Sequence, residues 1–350
     1  MLSQKLMGAQ VLAGGQQFIA VAHSTSPFIT AYPWSSSGFG TKFANPATLP
    51  TGIGLGVAFS PAGDAIAVAH DTTPFITAYP WSSSGFGTKF ADPATLPTGT
   101  GLGVAFSPAG DAVAVAHSGS PYLTVYPWSG SGFGTKFADP ATLPGTSAGY
   151  NVAFSPSGDA VAVAHFGSPY LTVYPWSGSG FGTKFADPGT IFGGSVSSGR
   201  GVAFSPSGDA ITVTANATPF IMAYPWSGSG FGTKFADPGT LPAGIPLSAA
   251  FSPDGNAISV AHANSPFVTA YPWSGSGFGA KFANPGTLPG SNGRAVAFSP
   301  SGTAIAVGHL APPFISAYSW SGSGFGTKFA NPGTLPTDQS NGVAFGEIAP

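Results

Sequence analysis

Cysteine is absent from this 350-residue chain, so neither a disulfide nor a thiolate metal site can form, and the redox compartment leaves no trace in the sequence. Charge is scarce too: only 6% of residues are Asp, Glu, Lys or Arg, and the formal net charge is -2. With no run of Lys or Arg there is no electrostatic footprint for nucleic acid or an anionic membrane, and neither is expected as a partner. A surface so poor in charge does little to keep copies apart, so contact with copies of itself or with another protein is expected. No apolar run approaches the roughly 18 residues that span a bilayer. The opening MLSQKLMGAQVLAGG has one lysine and an apolar stretch broken at Gln10, a poor match to a secretory signal. The expectation is a soluble protein made in the cytoplasm, without membrane insertion.

Gly (52) and Pro (35) are abundant, a composition that suggests disorder when apolar residues are few. They are not few here: 43% of residues are apolar and 13% aromatic, enough for a large core. Seven tryptophans, Trp34, Trp81, Trp128, Trp176, Trp226, Trp273 and Trp320, recur every 47 to 50 residues, each followed by a near-copy of SGSGFGTKFADP. A period of this size marks a repeat architecture, and no window shows the 3.6-residue period of a helix.

The unit from Gly56 to Leu102 holds four candidate strands. Val57 to Ser60 leads into a Pro-Ala-Gly-Asp turn. Ala65 to His70 alternates Ala with Ile66, Val68 and His70, so both faces are expected to be buried, one tall and one low. Phe75 to Trp81 puts Phe75, Thr77, Tyr79 and Trp81 on one face, with Ile76 and Ala78 on the other. Phe86 to Ala91 is the fourth, and its recurrent lysine (Lys42, Lys89, Lys136, Lys184, Lys234, Lys281, Lys328) reads as a guard on the outermost edge. Radially stacked blades suit this pattern, because the bulky face of one blade can settle on the small face of its neighbour. The C-terminal NGVAFGEIAP is a fresh first strand with nothing after it, while the chain starts with second-strand residues QQFIAVAH. Val343 to Gly346 is therefore expected to close the circle on the blade of residues 17 to 46. The whole reads as one all-β domain, residues 1–350, a closed seven-bladed propeller of four-stranded antiparallel blades. Residues 1–9 form a lead-in, and 341–350 the closing strand and tail.

The VAFSPAG at Val57, the AAFSPDG at Ala249 and the AIAVAH strands resemble the first two strands of the WD-repeat family. Tyr79 and Pro80 stand where that family has Trp-Asp, Trp81 comes one residue later, and the Gly-His pair is missing. The resemblance implies the fold and not the family's side-chain network. The longer string PFITAYPWSGSGFGTKFADP is similar to repeat proteins of tailed bacteriophages, which implies a virion component.

Candidate chemistry is thin. His23, His70, His117, His165, His262 and His309 end the second strands, with Asn216 in the remaining blade. Equivalent positions about 10 Å apart cannot share one ion, so a structural role is expected, with no metal and no cofactor. Asp64, Asp111, Asp159 and Asp209, with Asn256 and Thr303, occupy the turns and are expected to form them. GFGTK lacks the order and the following helix of a phosphate loop, no Gly-x-Ser-x-Gly elbow occurs, and the single glutamate is Glu347. No nucleophile, base and orienting group assemble, so a non-enzymatic protein is expected.

The repeats depart from one another in two loop sets, which a propeller places on one face. That face carries both arginines, Arg200 and Arg294, with Phe192, Tyr150 and Phe166, and these are the candidate partner-binding residues, centred on 191–200 and 290–294. Three functions stay open: a structural or interaction module bound to capsid or tail proteins, a glycan-binding propeller for host surfaces, and a peptide-binding adaptor.

Overall fold

The computed structural model describes residues 15–145, 147–192 and 198–349, and in these it is a closed ring of seven antiparallel sheets. The lead-in 1–9 and the apolar start of the chain lie outside the described residues. The second blade is representative, with strands Gly54–Phe59, Ala65–His70, Ile76–Ser82 and Gly85–Phe86 from axis to rim. In the first blade the innermost strand is Ser340–Ile348, which pairs antiparallel with Gln16–His23 from Gln16↔Ile348 to His23↔Ser340 and closes the ring. Closure was legible because the last strand has no blade of its own.

Alternation along each second strand becomes packing between blades. Ile66, Val68, Tyr79 and Trp81 meet Ala20, Ala22 and Ala31 of the first blade, while Ala65, Ala67 and Ala69 receive Val113, Val115, Tyr126 and Trp128 of the third. Tall face sits on low face at each such junction. Trp81 is the hub, with Phe18, Phe43, Phe59 and Phe86 all edge-on at 4.9 to 5.3 Å. The second Phe of each GFGTKF string thus belongs to the next blade's core, which is why that string repeats with the tryptophan. Buried phenols add polar stitches: Tyr79 donates to the Thr48 carbonyl of the preceding blade at 2.8 Å, and Tyr126 to Thr95 likewise.

The fourth strand is much shorter than Phe86 to Ala91. In five blades it is the pair Gly-Phe, and in the fourth blade it shrinks to the single bridge Trp176↔Phe181. Proline is the cause, since Pro80 and its equivalents have no N–H to give a further strand. The seventh blade has Ser319 instead, and there Gly324–Lys328 runs five residues and pairs Tyr318 with Lys328. The lysines elsewhere are not in a strand. Lys89 pairs with Asp92 and Lys42 bonds Asn45 and the Phe43 carbonyl, so the edge is blunted by proline and brevity rather than by lysine.

Candidate functional site

Each innermost strand runs along the axis from the face of variable loops to the face of Ser-Pro turns. Near its start the ladder slips by one residue. Gly101 pairs with His117 and Gly103 with Ala116, leaving Leu102 out of register. The same bulge skips Leu55, Tyr150, Leu247, Arg294 and Asn341, and in the fifth blade it skips both Arg200 and Gly201. A bulge re-aims the side chain it frees, and here all seven freed side chains line one axial cavity of about 150 Å3.

Around the ring the order is Leu55, Leu102, Tyr150, Arg200, Leu247, Arg294, Asn341. The Arg200 guanidinium lies over the Tyr150 ring, Cζ 4.5 Å from its centre. Arg294 donates from Nη2 to Asn341 Oδ1 at 3.3 Å, and Asn341 is itself anchored by donating from Nδ2 to the Gly54 carbonyl and to Ser24 Oγ. Burial, and then the nearby Arg200 charge, hold Arg294 below the ordinary arginine value. Both Nε atoms are buried without a partner among the described residues. Among the described residues no carboxylate and no imidazole lines the cavity. Two like charges are thus gathered in a half-closed space with no counter-ion.

Of the sequence candidates, Tyr150, Arg200 and Arg294 come together and the other two do not. Phe192 is only 5% exposed and packs with Tyr170, Ala215, Met222 and Tyr224, so it is a core residue and not a docking residue. Phe166 is 39% exposed on the loop rim, bridged to Ser198 and outside the cavity. Part of the expected docking loop, residues 193–197, lies outside the described residues. Leu55, Leu102, Leu247 and Asn341 were missed, although aligning the repeats on the residue two before Val57 and its equivalents picks out all seven.

The histidines are structural in their contacts: His70 Nε2 lies 2.9 Å from Thr77 Oγ1, His117 from Thr124 and His165 from Thr172 at the same distance, all fully buried. Burial lowers them to about 4. The fifth blade needs a correction, because the register puts Ala215, not Asn216, at the histidine position and Met222 opposite in place of threonine. Phe192 packs against both, so a polar pair has been replaced by an apolar group of three. At the turns, Ser60 Oγ donates to Asp64 Oδ1 at 2.7 Å and accepts from the Asp64 and Ala65 N–H groups, the turn-forming role expected of these aspartates. Among the described residues no group of three His, Asp or Glu could hold a metal ion, and no helix is long and apolar enough to cross a membrane.

No family model and no curated protein matches the sequence. Solved structures do match over nearly the whole chain. A periplasmic gluconolactonase of Pseudomonas aeruginosa superposes with a TM-score of 0.74 at 15% identity, covering 94% of this chain and 99% of that one. A Bacteroides uniformis protein provisionally named a 6-phosphogluconolactonase gives 0.73 at 15%, with the same coverage. Hydrazine synthase of Kuenenia stuttgartiensis gives 0.62 at 12%, covering 84% of this chain and 89% of that one. At such identities the likeness is one of fold. It nevertheless corrects the resemblances drawn from the sequence. The matching structures include propellers named as gluconolactonases, which overturns the expected likeness to WD-repeat and phage virion proteins and with it the expected non-enzymatic interaction or glycan-binding module; nothing supports the expected virion location. The repeat strings misled because Ser-Pro turns and Ala-alternating strands answer to blade packing, which propellers of unrelated function share.

Proposed function

We propose that the chain is a hydrolase that opens small lactones in the axial cavity at the bulge end. One observation carries the reading: Arg200 and Arg294 share a cavity with no acidic partner. Such an arrangement is costly unless negative charge arrives with the ligand. The gluconolactonase names of the structural neighbours supply the reaction class.

In lactone hydrolysis, water adds to the acyl carbon and the carbonyl oxygen becomes an oxyanion. The ring C–O bond then breaks, the freed oxygen takes a proton, and a hydroxy-carboxylate remains. Negative charge grows from the ground state to the oxyanion and persists in the product carboxylate. Fixed guanidinium donors stabilise the oxyanion without reorganising. Tyr150 fixes the plane of Arg200, and Asn341 fixes Arg294. The proton released on water attack passes to solvent through the open mouth, which suits a lining without a base.

Ring opening of γ- and δ-lactones, followed by proton release, tests this. The pair Arg200→Ala and Arg294→Ala should lower kcat/KM by about 10²-fold or more. Its melting temperature should hold or rise, since a like-charge pair is removed. Wild-type protein that opens no lactone faster than buffer, or a double variant of unchanged kcat/KM, sinks the reading.

A further inference from the structure

The cavity says more than that its ligand is anionic. Opposite the two arginines the freed residues are Leu55 and Leu102, and Leu247 stands between the arginines themselves. A sugar lactone carries a hydroxyl on most ring carbons, and each must find a partner when it leaves water. Beyond the guanidinium N–H groups, which a carboxylate would take, and the Tyr150 hydroxyl, the seven freed side chains offer few partners. The Asn341 amide is spent on Arg294, Gly54 and Ser24, and the Tyr150 ring face is covered by Arg200. Leucine side chains can give nothing to a hydroxyl. They do reward a hydrocarbon surface, and all three are half-buried with no place in any core cluster, so the blades do not need them for packing.

From this division of the lining we infer that the site selects a compact lactone with an apolar ring, whose opened product is a small monocarboxylate, over polyol or phosphorylated sugar lactones. The inference rests on the lactone reading for its reaction, but not for its binding preference. It also departs from the substrates that the neighbours' names suggest. The carboxylate of the product meets the arginines, and its hydrocarbon body lies against Leu55, Leu102 and Leu247.

Small carboxylates and a neutral amide separate the two questions, because their binding needs no turnover. Calorimetric titration with cyclopentanecarboxylate, cyclopentanecarboxamide, gluconate and 6-phosphogluconate should rank the first above each of the others by about tenfold or more. Leu102→Ser should weaken cyclopentanecarboxylate by about fivefold while leaving the melting temperature in place; Leu55→Ser serves as a second variant if Leu102→Ser melts early. Gluconate or 6-phosphogluconate binding as tightly as cyclopentanecarboxylate, or serine variants that melt normally and bind it unchanged, would overturn the inference even if lactones are hydrolysed. The expected ranking without any ring opening would leave the inference standing and overturn the hydrolase reading instead.

Discussion

The two ends of the axial channel are built from the same seven strands and differ in what their side chains are free to be. At the turn end the strands finish in Phe-Ser-Pro, and six of seven blades keep Ser there because its hydroxyl closes the turn, as Ser205 does by accepting from Ala210 N–H and donating to Asp209. The side chain is committed to its own backbone. At the bulge end the departure from the ladder is made by the backbone alone, so the seven freed residues are Leu, Leu, Tyr, Arg, Leu, Arg and Asn. The turn end encloses the larger space, about 660 Å3 between Pro61, Pro253, Pro300, Phe59 and Phe345, and two carboxylates line it, Asp254 and Glu347. Asp254 is committed to its own turn, accepting from Ser252 and Asn256. Backbone-committed side chains repeat, and uncommitted ones can diverge.

Acid should separate the two ends most strongly. The six histidines lie beneath the loops of the bulge end, neutral and buried, and each is lowered from 6.5 to about 4. A depressed folded value in a base means that the unfolded chain takes up protons first. Their stabilisation is thus complete above 6.5 and is lost as pH falls toward about 4, by at most about 3 kcal/mol each. The turn end behaves oppositely. Asp209 is held below the usual carboxylate value by Ser207 and Ser205, and Asp254 by Ser252 and Asn256, which outweigh the upward pull of burial. Depressed acids keep their contribution above the ordinary carboxylate value of 3.8 and lose it only below. Hydrogen exchange between pH 7 and 4.5 should show protection falling first at the ends of the histidine strands, with the Ser-Pro turns holding. Uniform loss at both ends would break the comparison.

A smaller test asks whether commitment to the backbone is what preserves the turn residues. Ser205→Ala leaves the Ala210 N–H without its partner and takes one of the two serine donors from Asp209, and it should cost about 1–2 kcal/mol in chemical denaturation. Lactone kinetics should not change. Leu102→Ser at the other end should cost less than about 0.5 kcal/mol, because a half-buried residue outside the core is being altered. Equal costs for the two substitutions would mean that the bulge residues are structural after all.

The same distinction explains what could be read from sequence. Blade number, closure and the tall-on-low packing were legible because Ile66, Val68 and their equivalents repeat, and repetition reports packing. The length of the fourth strand was not, since Pro80 acts by a missing donor that the apolar pattern around Phe86 conceals. Arg200, Arg294 and Tyr150 stood out as departures, yet so did Phe192, and departure alone does not tell a ligand group from a core repair. Phe192 accompanies the loss of histidine at Ala215 and threonine at Met222, a compensation seen only when the fifth blade's register is known. The leucines and Asn341 were overlooked because an unremarkable residue becomes part of a site only through the bulge that frees it.

The rim offers the weakest test of the comparison, and a built-in control. Blades two to five pair Lys89, Lys136, Lys184 and Lys234 with Asp92, Asp139, Asp187 and Asp237 three residues on, whereas Lys42, Lys281 and Lys328 face Asn45, Asn284 and Asn331. Three blades thus hold the same loop without an ion pair, and burial pulls Lys42 and Lys328 below the ordinary lysine value there. Asp139 is 47% exposed, so solvent screens most of the attraction it could add. Asp139→Asn should therefore shift stability by less than about 0.5 kcal/mol. The difference should vanish at high salt. A rim that works by hydrogen bonds rather than by charge is neither committed like the turns nor free like the bulges: its lysine repeats while its partner drifts between Asp and Asn. If the substitution costs more than about 1 kcal/mol and the cost persists in salt, the rim pairs are set by charge, and the Asn-bearing blades need another source of stability.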